Sequence, residues 1–243
     1  MRMVTFAVRN AKEILRDPLN IAFGLGFPLV LILLLSTIQA NIPVALFEIS
    51  HLAPGVTVFG LSFMSLFSAT LIAKDRGSSL LQRLYTTPLT PLDFILGYTL
   101  PILPIAVAQC VICYGAAITL GLPVTVHILY AVVAILPVSV LYIAFGLLCG
   151  SLLNDKQVGG ICGALLTNVS AWLSGVWFDL ELVGGAFKKI AYALPFVHAV
   201  EMERAVLAGE WTTIGGHLCP VLGYTAVLLL LAVLVFLRQM KRR

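Results

Sequence analysis

Apolar stretches long enough to cross a bilayer recur along almost the whole chain, and no other feature restricts the possible folds so tightly. A transmembrane helix needs about 20 predominantly apolar residues. Six runs reach that length: Leu19–Ile38, Leu52–Ala73, Phe94–Leu120, Val126–Gly150, Val158–Trp177 and His217–Leu237. Hydrocarbon offers backbone N–H and C=O groups no partner, so such runs must fold as helices that satisfy themselves. Composition points the same way: the chain is 60% hydrophobic and only 11% charged, where a soluble domain carries about 25% charged residues. The expectation is an all-α membrane protein with six transmembrane helices in a single domain, residues 1–243, without internal repeats. The third run contains Pro101 and Pro104. Each removes a backbone hydrogen bond, so a kink or break is expected there.

The basic residues give the orientation, because cytosolic loops carry the excess of lysine and arginine. With both termini inside, the inner segments hold Arg2, Arg9, Lys12 and Arg16, then Lys74, Arg76 and Arg83, then Lys156, and finally Arg238, Lys241, Arg242 and Arg243. The outer segments hold only Lys188, Lys189 and Arg204. Both termini are therefore expected in the cytosol, and an even number of crossings agrees. The net charge of +4 is spread over loop ends and is no footprint for nucleic acid. Residues 1–17 carry too many charges for the core of a cleavable signal peptide. They read as an amphipathic helix, with Met3, Phe6, Ala7, Ala11, Ile14 and Leu15 on one face and Arg9, Lys12, Glu13 and Arg16 on the other. Asp17-Pro18 then supplies an N-cap and a proline at the first helical position. A helix lying in the membrane interface and turning sharply into the first span is expected.

Two polar intervals carry pattern of their own. Lys74–Thr90 is short, cationic and helix-prone, and Pro88 stops it. It suits a small helix on the membrane surface that receives a push from a soluble partner better than it suits a catalytic loop. In residues 178–216, Val183, Phe187, Ile190 and Leu194 line one helical face and Pro195 ends that helix. A second amphipathic piece runs from about Phe196 to Ala208 and stops at Gly209. Two short helices dipping into the outer leaflet fit this pattern, and so does an ordinary extracellular helical hairpin.

The chemistry-bearing motifs are sparse. There is no GxxxxGK[ST] phosphate loop, so any ATP that drives the protein must be bound by another chain. Neither HExxH nor GxSxG occurs. His51, His127, His198 and His217 are widely separated, and Cys110 and Cys113 form a CxxC inside an apolar run, where they read as buried small hydrophobes. Charges inside the spans are almost missing, which counts against a proton-coupled carrier. The polar groups that remain are mild. Ser65 and Ser68 on the second span and Asn168, Ser170 and Ser174 on the fifth are candidates for a pathway or a dimer interface; ordinary packing by small polar residues explains them as well. Gly159, Gly160, Gly163 and Ala164 permit close helix approach on the fifth span. Asp179, Glu181, His198, Glu201 and Glu203 form the densest polar set and read as the rim of the outer helices, not as an enzyme site.

Lys74 through Gly97 resembles the cytosolic loop of type-2 ABC exporter permeases, of the multidrug and antibiotic-export kind. The matching elements are Asp75, Gly77, Leu80, Leu84, Thr87, Pro88, Leu89 and Gly97. A second match runs through Ser174-Gly175-Val176-Trp177-Phe178, Ala193-Leu194-Pro195-Phe196-Val197-His198-Ala199, and Arg204-Ala205 with Gly209, similar to that family's outer segment. Two positions depart: Asp75 stands where glutamate is common, and Tyr98 where lysine often follows the glycine. The resemblance implies a coupling helix at 78–86 that docks into a groove of a cytosolic ATP-binding subunit. Leu80, Leu81 and Leu84 would give the apolar contact, Arg83 a charged one, and Thr87-Pro88-Leu89 the stop. Arg9, Lys12 and Arg16 would form a second contact. It also implies a re-entrant outer hairpin over 178–216 bearing Pro195, His198 and Arg204. Two ATP-binding subunits and a second permease chain, identical or homologous, would complete the assembly in a bacterial plasma membrane. ATP and Mg would sit in the partner, and this chain would carry no cofactor and no catalytic residue. The cargo would be an amphiphilic or apolar drug, antibiotic, peptide or lipid moving outward. The competing reading is a gradient-driven carrier or channel that works without an ATPase.

Overall fold

A computed structural model describes residues 2–43, 47–78 and 90–241. Among them every regular element is helical. In chain order these are α1 (Arg2–Leu15), α2 (Pro18–Ala40), α3 (Ile49–Gly60), α4 (Ser62–Gly77), α5 (Pro91–Thr99), α6 (Leu103–Thr119), α7 (Val126–Leu152), α8 (Asp155–Val158), a π-helical stretch Gly159–Leu166, α9 (Thr167–Leu173), α10 (Leu180–Val183), α11 (Gly185–Ala193), α12 (Pro195–Ala208) and α13 (Trp211–Lys241).

Among the described residues, five helical stretches are long and apolar enough to cross a membrane: Pro18–Ala40, Ile49–Gly77, Pro91–Thr119, Val126–Leu152 and Trp211–Gln239. The third is broken between α5 and α6 at Leu100–Ile102, where Pro101 and Pro104 interrupt the hydrogen-bond ladder as their chemistry requires. The stretch expected as a further span, Val158–Trp177, is not one regular helix. It is α-helical at Asp155–Val158, π-helical at Gly159–Leu166 and α-helical again to Leu173. Gly159, Gly160 and Gly163 weaken the ordinary helix there, and Thr167 Oγ1 donates to the Cys162 carbonyl at 3.1 Å, five residues back. The chain then turns at Gly175, whose φ of +71° suits glycine, so Trp177 lies beyond the helix.

The α3–α4 rod is the axis of the bundle. Its residues are mostly enclosed, while the first span leaves Leu19, Phe23, Val30 and Leu34 bare. The closest packing is between α4 and α7. A Cβ added to Gly146 would stand 2.3 Å from the Ser65 carbonyl oxygen, and one on Gly150 would stand 2.6 Å from that of Ala69. This is a small-residue seam that brings backbones together. Ser65 Oγ donates to the Tyr142 carbonyl at 2.5 Å, and the Tyr142 hydroxyl lies 2.6 Å from Ser170 Oγ, so α4, α7 and α9 are tied in series. The glycines expected to make such a contact are elsewhere: nothing lies within 4 Å of a Cβ at Gly159 or Gly160, and Gly163 meets only Leu66 at 3.6 Å.

Local signals at the helix ends hold. Asp17 caps α2 through the Asn20 amide at 3.3 Å, with Pro18 at the first position. Pro195 opens α12, and Gly209, at φ +79°, closes it. α12 is largely buried against α3, α7 and α13, whereas α11 leaves Ile190 and Tyr192 exposed.

Candidate functional site

The interval 74–90 leaves the bundle at the end that carries both chain termini. Of the expected coupling residues, Leu80, Leu81, Arg83, Leu84, Thr87, Pro88 and Leu89 lie outside the described residues, as does nearly all of the 78–86 helix. The two anchors of the interval are described.

On the outgoing side, α4 ends in a buried carboxylate. Asp75 is only 2% exposed, and its Oδ2 accepts from Arg9 Nη1 at 2.6 Å and from the Tyr98 hydroxyl at 2.8 Å. One oxygen atom thus joins three elements: α4, α1 and α5. Asn10, also buried, reinforces the junction. Its Nδ2 donates to the Gly97 carbonyl at 3.0 Å, and its Oδ1 accepts from Arg9 at 2.9 Å. Gly97 is required for this approach, since a Cβ there would stand 2.2 Å from the Phe6 ring. Phe6 packs edge-on against Tyr98 with centroids 5.0 Å apart, and Phe94 bridges Tyr98 to Phe236 of α13. Burial lowers the Arg9 pKa and the hydrogen bond and charge of Asp75 raise it, with a net rise, so Arg9 stays charged.

Arg76, one residue on, donates to the Gly150 carbonyl at 3.1 Å and also to the Ser151 carbonyl, which Gln239 Nε2 reaches at 2.6 Å. The end of α4 is thereby fixed to the ends of α7 and α13. Gly77 is exposed, with open space around it. On the returning side Thr90 and Asp93 form a reciprocal cap: Asp93 N donates to Thr90 Oγ1 at 3.2 Å and Thr90 N to Asp93 Oδ2 at 3.0 Å. Pro91 follows at the first helical position. The described ends of the interval are therefore two posts, one tied into the bundle and one capped.

The helical pattern placed Arg9 with Lys12 and Arg16 on one charged face. Arg9 instead turns into the bundle, while Lys12 and Arg16 remain exposed. Asp75 and Tyr98, the two positions that depart from the resemblance, hydrogen-bond to each other. Sequence reasoning missed Asn10 and the Phe6–Gly97 contact. A buried-type polar residue within the apolar arc of α1 was the available signal for Asn10.

The candidate pathway or interface residues scatter. Ser65, Ser68, Ser170 and Ser174 are wholly buried inside this chain. Asn168 is exposed and donates back to the Ala164 carbonyl at 2.9 Å.

At the opposite end Arg204 holds three elements together. It donates to Glu201 at 2.8 Å, to the Gly175 carbonyl at 3.0 Å and to the His51 carbonyl at 3.4 Å. Cavities of about 410 Å³ and about 580 Å³ open on either side of it, both lined by His51, Glu201 and Arg204. His198 Nδ1 lies 3.1 Å from His217 Nδ1, and its Nε2 lies 3.0 Å from the Tyr192 carbonyl. Glu203 is not a rim residue as expected. It is wholly buried, with Oε1 accepting from the Tyr114 hydroxyl at 3.0 Å and Oε2 unpartnered among the described residues. The α12 backbone turns Glu201 outward and Glu203 inward, and burial pushes the Glu203 carboxyl up to about 8 against the opposing pull of the Tyr114 hydrogen bond.

Among the described residues no group of three His, Cys, Asp or Glu could hold a metal ion. Side chains at the termini end tie α1, α4, α5, α7 and α13 together. No curated protein matches the chain. A family model, described as ABC-2 type transporter, matches residues 2–208. That match spans α1 through α12, with both posts of the interval and the outer helices, and the chain belongs to the ABC-2 type transporter family as a membrane subunit of an ABC transporter.

Proposed function

We propose that this chain is the permease of an ATP-driven exporter and that the interval 78–86 is its coupling helix. The observation that carries the reading is the Asp75 junction at the root of that interval. A push delivered between Gly77 and Thr90 acts on α4 through its last turn and on α5 through its cap. The Arg9–Asp75–Tyr98 contacts oblige α1 to follow. The axis α3–α4 then carries the displacement along the bundle to Arg204 and the outer helices. Family members normally pair with an ATP-binding subunit. Here two copies of it would bind ATP and Mg, and this chain would hydrolyse nothing itself. Lys12 stays available for a second contact with the ATPase, whereas Arg9 is engaged by Asp75.

In this reading the stretch Asp155–Leu173 makes a sixth crossing. Its 19 residues span roughly 28 Å at the α-helical rise, near the hydrocarbon thickness. Both termini then lie in the cytosol of a bacterium, as the lysine and arginine balance favours. The hairpin α10–α12 sits in the outer leaflet. A second permease chain, identical or homologous, completes the pathway, with the exposed Asn168 face of that sixth crossing available to it. The scarcity of charge inside the spans favours an amphiphilic or apolar cargo moved outward.

The test is purification of the tagged chain in mild detergent with mass identification of what accompanies it. A stoichiometric ATP-binding subunit is expected, lost when Leu80, Leu81 and Leu84 are changed to aspartate in a chain that still folds. A chain that purifies alone and moves solute in vesicles without ATP would overturn the reading.

A further inference from the structure

A cavity of about 140 Å³ lies in the notch between α1, α2 and α4. Ile14, Phe67 and Leu71 make an apolar floor, and Glu13, Arg16, Asp17, Asn20 and Lys74 form a polar rim. The rim charges are not equally engaged. Asp17 accepts from the Asn20 amide and side chain at 3.3 and 2.8 Å, so its oxygens are spent on the cap. Lys74 reaches Asp17 only at 3.6 Å, and both side chains are partly exposed, so that pair holds weakly. Arg16 is exposed and its side chain makes no hydrogen bond or ion pair among the described residues. The notch therefore presents one unclaimed guanidinium and one loosely held ammonium above an apolar floor.

Its position fixes what surrounds it. α1 buries Phe6, Asn10 and Ile14 against the bundle but leaves Val4, Val8 and Leu15 bare on a separate strip. That strip continues past the elbow into the bare Leu19 and Phe23 of the first span. An apolar strip continuous with a lipid-facing span marks the level of the acyl chains, and the charged rim then stands at the level of the headgroups. Guanidinium groups match phosphate oxygens with two parallel hydrogen bonds.

We propose that this elbow binds the headgroup of a membrane phospholipid, with the phosphate on Arg16 and Lys74 and the first part of the acyl region on Ile14, Phe67 and Leu71. An amine-bearing headgroup would also meet Glu13. Since α1 is pinned to Asp75, a lipid seated here steadies the same helix that follows the coupling segment. The site depends on the membrane character of the chain and not on its use of ATP.

The test is native mass spectrometry of the full chain extracted in mild detergent and then exposed to phosphatidylethanolamine or phosphatidylglycerol. The wild type should retain phospholipid through the detergent washes. Arg16→Ala with Lys74→Ala should lower its occupancy roughly tenfold, since both phosphate contacts go, and Lys12→Ala should leave it unchanged. Arg16→Lys, which keeps the charge but not the fork, should fall between. In lipid-free detergent, where only the Asp75 junction holds the helix, amide exchange over α1 should be as slow in these variants as in the wild type. Equal retention by the wild type and the double variant would overturn the proposal. Displacement of the lipid by millimolar inorganic phosphate would reduce the site to a phosphate site. A double variant that keeps its lipid but loses an ATP-binding subunit would assign the surface to that protein instead.

Discussion

Changing Asp75 to asparagine separates the junction from the packing around it. The amide keeps the shape and one acceptor but loses the charge that Arg9 and Tyr98 share. Hydrogen bonds to charged groups contribute about 1.5–3 kcal/mol. The Arg9 side chain is 37% exposed and can turn to water, which lowers the expected cost to about 1–2 kcal/mol. Asp75→Ala should cost more, about 3–5 kcal/mol, because it removes both contacts at once and leaves the part-buried Arg9 guanidinium without its counter-charge. The assay is amide exchange over residues 2–15 in detergent or nanodiscs, which reads how often α1 leaves the bundle. A loss of 1–2 kcal/mol corresponds to roughly 5–30-fold faster exchange in that helix, with α7 and α13 unchanged. In the assembled transporter the same variant should hydrolyse ATP while transport falls. Arg9→Ala combined with Asp75→Asn should add little to either change alone, because both remove one interaction. Unaltered exchange in α1 together with full transport in Asp75→Asn would refute the junction as the link between the coupling segment and the N-terminal helix.

Further substitutions follow from the packing and from one buried carboxyl. Gly97→Ala puts a Cβ 2.2 Å from the Phe6 ring and should release α1, speeding its exchange, whereas Gly77→Ala enters open space and should leave it alone. Gly150→Ala drives a methyl to 2.6 Å from the Ala69 carbonyl; it should lower the detergent melting temperature by an overpacking cost of about 1–3 kcal/mol, while Gly160→Ala should raise it slightly through helix propensity. Burial pushes the Glu203 carboxyl from its ordinary 4.5 up to about 8 in the folded chain. A raised carboxyl makes the folded state bind more protons, so stability is fully present below about pH 4.5, falls as pH rises toward about 8 and then levels off. The melting temperature should follow that course, and Glu203→Gln should flatten it.

Much of the fold could be read because bilayer and backbone chemistry act locally. Five of the apolar runs became membrane-length helices at nearly the expected limits, and Pro101, Pro104, Asp17-Pro18, Pro195 and Gly209 each acted within a turn of their own position. The site was legible only at one level. Asp75 and Gly97 could be singled out, but the facts that give them meaning are pairings. Tyr98 lies 23 residues from Asp75, and Arg9 lies 66 residues away; no periodicity relates them. The glycines make the same point. Gly146 and Gly150 form the tight seam and Gly159 and Gly160 do not, although both pairs sit in apolar helices. A glycine reports that approach is permitted, and only the partner helix decides whether it is used.

The Glu203–Tyr114 pair and the Asp75 junction differ in a way that bears on how a displacement could cross the bundle. Asp75 is buried with a cation and a hydroxyl, so its charge is compensated in place and breaking the contact is costly. Glu203 is buried with one hydroxyl and no cation among the described residues, and Arg204 beside it is directed to Glu201 and two carbonyls. A carboxyl so placed is tolerated when neutral and repelled by its surroundings when ionised. The Tyr114 hydrogen bond itself favours the ionised carboxylate, so burial and not that contact sets the cost of a charge at Glu203. In the proposed coupling, a displacement would cross a charge-paired junction at the termini end and the Glu203–Tyr114 hydrogen bond at the outer end.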